Sequence, residues 1–351
     1  MCPAISPPLP SSSTSFDTKY LKPIPNSKNQ TTTVMKTTFY SILAAAACGM
    51  ALGQTAYTTP VGYYNFDAKA GGNVFVPGFV KSAAFAGAIT ARTNNADPAL
   101  DTLTVASGAL AANAFDEGSV YATHYVEITQ AGANQGVVID IVSNTNSVIT
   151  LASDISALSL AGTETITIRP HVTLSGAFAS AESALAAYGD SATFVNPDGT
   201  STTYYFIGDA DWATDFATPD GNARPISPGT GIIFDCGGDA ALTVVGEVKS
   251  TDTVVQIAGN GVPNVVGPVN PLAGGSALIK DLGFADMVAY GDSISIYAPG
   301  QLFAPTGTYY ALGDGDVSTD FSTPSLDTFD FTKGAIFIAG SDTAFRVKSG
   351  L

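Results

Sequence analysis

Tyr188-Gly189-Asp190-Ser191, Thr203-Tyr204-Tyr205, Gly208-Asp209-Ala210-Asp211, Thr214-Asp215-Phe216 and Thr218-Pro219 return about a hundred residues later. They reappear, in the same order, as Tyr290-Gly291-Asp292-Ser293, Thr308-Tyr309-Tyr310, Gly313-Asp314-Gly315-Asp316, Thr319-Asp320-Phe321 and Thr323-Pro324. Val248-Lys249-Ser250 closes one series and Val347-Lys348-Ser349 the other. An ordered series at near-constant spacing marks a duplicated structural unit. Within the first copy, residues 192–195, 203–207, 231–234 and 242–248 are short β-branched and aromatic runs bounded by turn residues, which predicts strands. Ala- and Leu-rich segments at 180–187 and 276–282, just ahead of each Tyr-Gly-Asp-Ser, are the two helix candidates.

Upstream, Val61-Gly62-Tyr63 and Gly72-Asn73-Val74-Phe75-Val76-Pro77 faintly match Val245-Gly246-Glu247 and Gly259-Asn260-Gly261-Val262-Pro263. That match starts the first copy early and makes residues 87–175 an insertion. Strands expected at 102–106, 124–129, 137–142, 148–151 and 165–170 give it a small barrel or sandwich of its own. The expected fold is therefore all-β: two related sandwich-like units, 54–250 and 251–351, with a small inserted β domain and few short helices.

The 36 Gly and 20 Pro punctuate a chain that is 45% hydrophobic but only 13% charged, enough apolar content for real cores. Asp and Glu outnumber Lys and Arg by 30 to 14, and the net charge of −16 argues against nucleic-acid and anionic-membrane partners. Residues 1–34 show no apolar periodicity. Met35-Lys36, the apolar run 39–47 and Ala51-Leu52-Gly53 then read as a signal peptide cut before Gln54, with Met35 as the true start. The run is too short for a membrane span. Ala45-Ala46-Ala47-Cys48 offers a lipoprotein alternative without the usual Leu. Cleavage leaves Cys236 as the only cysteine, beside a strand-like Ile232-Ile233-Phe234, where a small buried hydrophobe is expected.

Together with this signal, Thr59-Pro60-Val61-Gly62-Tyr63, Tyr125-Val126-Glu127-Ile128-Thr129, Ile168-Arg169-Pro170-His171-Val172-Thr173-Leu174 and the later repeat resemble an uncharacterised family of exported proteins from Verrucomicrobia and related bacteria. The resemblance implies an exported β protein and brings no activity. It departs from the family at Val262-Pro263-Asn264-Val265-Val266, where an aromatic-rich strand is expected after Gly-Asn.

Gly189-Asp190-Ser191 and Gly291-Asp292-Ser293 look like the nucleophile block of Gly-Asp-Ser-Leu hydrolases. That chemistry needs a late His base, and the chain has only His124 and His171, both earlier. A turn into a strand is the simpler reading. Two His and one Cys cannot build a zinc site, and no phosphate-binding Gly-rich fingerprint is present. The acidic loops Asp209-x-Asp211-x-x-x-Asp215 and Asp314-x-Asp316-x-x-x-Asp320 are calcium candidates, weighed against Asp side chains capping their own turns. Calcium is the one cofactor the residues offer. Trp212 with Tyr204 and Tyr205 is a candidate carbohydrate platform, weighed against burial in the core. The functional expectation is a secreted or outer-envelope bacterial protein, structural rather than catalytic, partnered by itself or by cell-surface glycans. A carbohydrate-binding module is the runner-up and an enzyme on a β scaffold the third reading.

Overall fold

A computed structural model describes residues 60–95, 100–118, 120–267, 276–278, 288, 290–313, 315–325, 328–330, 334–347 and 349. The signal peptide, its cleavage site, Asp314 and Lys348 lie outside the described residues.

The described residues open with β1 (Val61–Ala68) and β2 (Gly71–Phe75). Strict alternation in β1 sends Tyr64, Phe66 and Ala68 inward and leaves Val61, Tyr63, Asn65 and Asp67 outside. An inserted domain follows: β3 (Phe85–Thr93), β4 (Thr102–Val105), β5 (His124–Ile128), β6 (Val138–Asn144), β7 (Val148–Leu151) and β8 (Thr165–Pro170). These six close into a barrel of order β3-β4-β7-β6-β5-β8. Their inward positions, among them Ile89, Leu103, Val126, Ile141, Ile149 and Ile168, fill its interior.

The chain then returns to the first unit through β9 (Val172–Thr173), the short helix α1 (Leu174–Phe178), β10 (Ser191–Val195), β11 (Ser201–Gly208), β12 (Asp211–Ala213), β13 (Pro225–Ile226), β14 (Ile232–Cys236) and β15 (Ala240–Glu247). A five-stranded sheet runs β12-β11-β10-β14-β2, and β1 pairs with β15 in a separate antiparallel ribbon. Ribbon and sheet enclose one aromatic-rich core: Phe66 meets Phe75 edge-on at 5.1 Å, and Phe178 contacts Phe75, Trp212 and Phe234.

The second unit comprises β16 (Thr253–Ile257), β17 (Pro263–Val266), β18 (Ser276–Leu278), β19 (Ser293–Tyr297), β20 (Pro305–Gly313), β21 (Asp316–Ser318), β22 (Thr328–Asp330), β23 (Ala335–Ile338) and β24 (Thr343–Val347). Its pairings repeat the first unit strand for strand. The sheet β21-β20-β19-β23-β17 answers β12-β11-β10-β14-β2, the ribbon β16–β24 answers β1–β15, and β18–β22 answers β9–β13. The barrel is thus an insertion between the second and third strands of one copy, and the core of the other is more aliphatic, with Val317 at the place of Trp212.

Four sequence expectations need correction. Val61-Gly62-Tyr63 does not correspond to Val245-Gly246-Glu247; the two segments pair, with Tyr63 opposite Val245. The counterpart of Asn73 is Asn264, not Asn260. Asn73 Oδ1 accepts from the Lys69 N–H and its Nδ2 donates to the Lys69 and Gly71 carbonyls, while Asn264 makes the same bonds with Ala258 and Val262. In the ribbons Ala68 faces Ala240 and Ile257 faces Thr343, so Val347 stands where Val244 does and the Val-Lys-Ser match is out of register. Finally, 276–278 is strand rather than helix, and in the first copy the helix lies earlier, at Leu174–Phe178, capped by Thr173 Oγ1 accepting from the Gly176 N–H. A single 3₁₀ turn, Glu182–Ala184, is what forms inside 180–187.

The outer faces of the two five-stranded sheets meet through Val74 and Ile233 on one side and Val265 and Ile336 on the other, with Val195, Tyr297 and Leu302 around them. Gly231 N–H to Val265 O and Gly267 N–H to Gly229 O join the backbones there. No helix among the described residues is long and apolar enough to cross a membrane.

Candidate functional site

The Tyr-Gly-Asp-Ser motif builds a clamp at the start of β10 and β19. Asp190 is buried; its Oδ2 accepts from the Ala186 N–H at 2.8 Å and its Oδ1 from the Gly237 N–H at 2.9 Å. Asp292 repeats this with Val288 at 3.0 Å and Gly340 at 2.9 Å. Each carboxylate thereby ties the turn before its strand to the loop after β14 or β23. The carboxylates satisfy backbone donors that the ladders leave unpaired, and no His reaches them: His124 and His171 sit in and beside the barrel.

The acidic loops use their carboxylates one at a time. Asp215 accepts from the Ala217 and Thr218 N–H groups, and Asp320 from those of Ser322 and Thr323 and from Ser318 Oγ. These donors hold both carboxyls below the usual carboxylate range, the Thr218 and Thr323 amides most strongly. Asp211 accepts from Asn222 Nδ2, and Asp209 occupies a left-handed turn at φ 51°. Among the described residues no three His, Cys, Asp or Glu side chains converge in a way that would hold a metal ion. The carboxylates of the first loop are engaged separately, Asp215 by amides of its own turn and Asp211 by the Asn222 side chain.

Period-two alternation along β11 divides the adjacent tyrosines between the faces of the sheet. Tyr204 points into the core and bonds Tyr121 through their hydroxyls, and Trp212 is 0% exposed. The platform expected from Trp212 and Tyr204 is corrected accordingly: both are core residues. Tyr205 faces outward, and Phe216 stacks on it with centroids 4.1 Å apart and planes at 26°. Tyr188 adds a third ring, 6.2 Å from Phe216. The second copy repeats the arrangement: Phe321 stacks on Tyr310 at 4.1 Å and 29°, with Tyr290 6.3 Å from Phe321. Tyr188 and Tyr290 are 63% and 65% exposed, and Phe216 and Phe321 45% each. All four have φ between 61° and 63°. Sequence reading found the Tyr-Gly-Asp-Ser and Thr-Asp-Phe motifs but not that they converge; their joint retention in both copies was the signal.

Two further polar clusters lie at the barrel. A pocket of about 550 Å³ between the barrel rim and the 219–223 loop is lined by His124, His171 and Tyr121 among others. His171 Nε2–H donates to Asp140 Oδ1 at 2.9 Å and its ring packs on Tyr125; Nδ1 is buried without a partner. Burial, and then His171, lower the pKa of His124. Beneath the barrel, Glu127 and Arg169 meet Glu247 and Lys249: Lys249 Nζ lies 2.7 Å from Glu127 and Arg169 Nη2 2.6 Å from Glu247. Cys236 is buried, and its thiol, a donor to the Lys69 carbonyl, is pushed up to about 11, chiefly by burial. No protein-family model matches the chain, and neither a curated protein nor a solved structure shows detectable similarity to it.

Proposed function

We propose that the chain is an exported, non-catalytic structural or surface protein of the bacterial envelope or extracellular matrix, akin to the Verrucomicrobial family it resembles. One observation carries this reading. In both copies the motif side chains that sequence alone offers as chemistry, Asp190 with Asp292 and Asp215 with Asp320, are bonded to backbone amides of the scaffold in matching ways. A duplicated scaffold whose motifs hold turns together suits display or assembly. The test is fractionation of the producing cells with mass spectrometry of the chain's N-terminus. Recovery on the surface or in the medium, starting at Gln54, is expected; recovery inside the cell with residues 1–53 attached would overturn it.

A further inference from the structure

The two exposed ring stacks are the least economical features of the surface. A bulky side chain at φ near +60° costs on the order of 1–3 kcal/mol, and here four aromatic residues, Tyr188, Phe216, Tyr290 and Phe321, adopt it. Among the described residues, three of the other four non-Gly positions with positive φ are Asn113, Asp209 and Asn260, types that tolerate it. The inside of the repeat has meanwhile drifted: Phe206 and Trp212 of one copy face each other where Ala311 and Val317 do in the other. These two buried positions have changed while the strained, exposed aromatic ones have stayed. Scaffold packing alone gives the opposite pattern, since packing constrains the core first.

We infer that the Tyr188–Phe216–Tyr205 and Tyr290–Phe321–Tyr310 stacks are two equivalent glycan-binding platforms, selective for neutral polysaccharides. Three observations choose this ligand. Three rings per copy make a patch far below the roughly 800 Å² per partner of a stable protein interface. The chain on either side of each Phe is polar, with Thr214 and Thr218 flanking Phe216 in sequence and Thr319 and Thr323 flanking Phe321. Beside each Phe stands a carboxylate, Asp215 or Asp320, fixed by backbone amides. Aromatic faces take the C–H faces of sugar rings, and fixed carboxylates accept from their hydroxyls. The net charge of −16 disfavours acidic polymers. Two such sites on one chain let a polymer engage both and gain avidity. The inference stands independently of where the protein resides.

Affinity electrophoresis of the purified chain tests it, in gels containing hydroxyethylcellulose, galactomannan, xylan or dextran, with polygalacturonate as the anionic comparison. Tyr188→Asn and Tyr290→Asn remove a ring while keeping a residue that accepts the left-handed conformation, so the melting temperature should hold or rise. At least one neutral polymer should retard the wild type. Each single variant should weaken retardation about fivefold or more, and the double variant should abolish it. Absence of retardation in all four neutral gels, equal retardation of the double variant, or stronger retardation by polygalacturonate would each overturn the inference. So would a lowered melting temperature in variants that still bind, which would assign the rings to fold stability.

Discussion

Asp190 and Asp292 show how a side chain that resembles catalytic equipment can be wholly occupied by architecture. Each is buried with both oxygens accepting from backbone amides of two separate loops. Replacement by Ala removes both charge-assisted bonds at once and frees the two loops that the carboxylate joins. Charge-assisted bonds of this kind are worth about 1.5–3 kcal/mol, so Asp190→Ala or Asp292→Ala should each lower unfolding free energy by about 3 kcal/mol, read from urea denaturation. Asp215 and Asp320 act at the surface, and there pH is the probe. Their folded pKa values lie below the unfolded ones. The stability they contribute is therefore present above about pH 4 and is lost as pH falls through the folded values. The urea midpoint should drop on acidification below pH 4, and Asp320→Asn should flatten that dependence; an unchanged slope would remove the amide-bonded carboxylate from the account. The Gly-Asp-Ser tripeptide was legible as a turn because the chain holds only two His, both upstream. That its Asp reaches across to Gly237 or Gly340 was not, because that contact spans 47 residues in one copy and 48 in the other.

At the scale of elements, the strands that alternate clearly were legible in the sequence and those that do not were missed. β4 and β7 bury every second residue, so Thr102–Val105 and Val148–Leu151 stand out. β3 carries Ala and Gly on a largely exposed stretch, with Ile89 its one fully buried residue, so no period appears and the sixth barrel strand went unread. The segment 276–278 fails for another reason: its composition suits a helix, but its place in the repeat is that of β9, and pairing with β22 decides. Close backbone approaches are likewise invisible before folding. A Cβ on Gly231 would lie within contact distance of the Phe75 carbonyl of β2, a clash with the neighbouring strand itself. Gly231→Ala should therefore cost about 1–3 kcal/mol. Gly238→Ala, where nothing lies within 4 Å of the added carbon, should stay within about 0.5 kcal/mol. Thermal melts of the two variants side by side would check the contrast, and equal stabilities would refute the close approach of β2 and β14.

For the whole molecule, the question is what fixes an inserted barrel onto a unit whose twin lacks one. The answer in the structure is a buried charge quartet. Glu127 on β5 and Arg169 on β8 come from the barrel, while Glu247 on β15 and Lys249 just beyond it come from the host unit. Two positive and two negative groups balance. Lys249 Nζ also donates to the Thr251 and Asp252 carbonyls, Thr251 Oγ1 donates to Glu127, and Arg169 donates to the Lys81 carbonyl. Burial lowers the pKa of Lys249 despite Glu127 beside it, so desolvation is the larger influence on that ammonium. Such a network adds little net stability against an apolar equivalent but is costly to break, because the surviving partner is left charged and dry. Lys249→Met should thus destabilise by about 3–5 kcal/mol, since Glu127 keeps the Thr251 hydroxyl but has only the more distant Arg169 guanidinium, at 3.8 Å, as a cation. Adding Glu127→Gln to Lys249→Met removes the stranded charge and should return much of that loss, giving a coupling between the two sites well above additivity. Urea unfolding of the wild type, both single variants and the double variant measures it, with Trp212, buried in the host unit, as the fluorescent reporter. If the double variant is as unstable as the sum of the singles, the quartet does not act as one unit, and the attachment of the barrel rests on its other contacts, among them Tyr121 with Tyr204 and Arg346 with the Ala133 and Gln135 carbonyls.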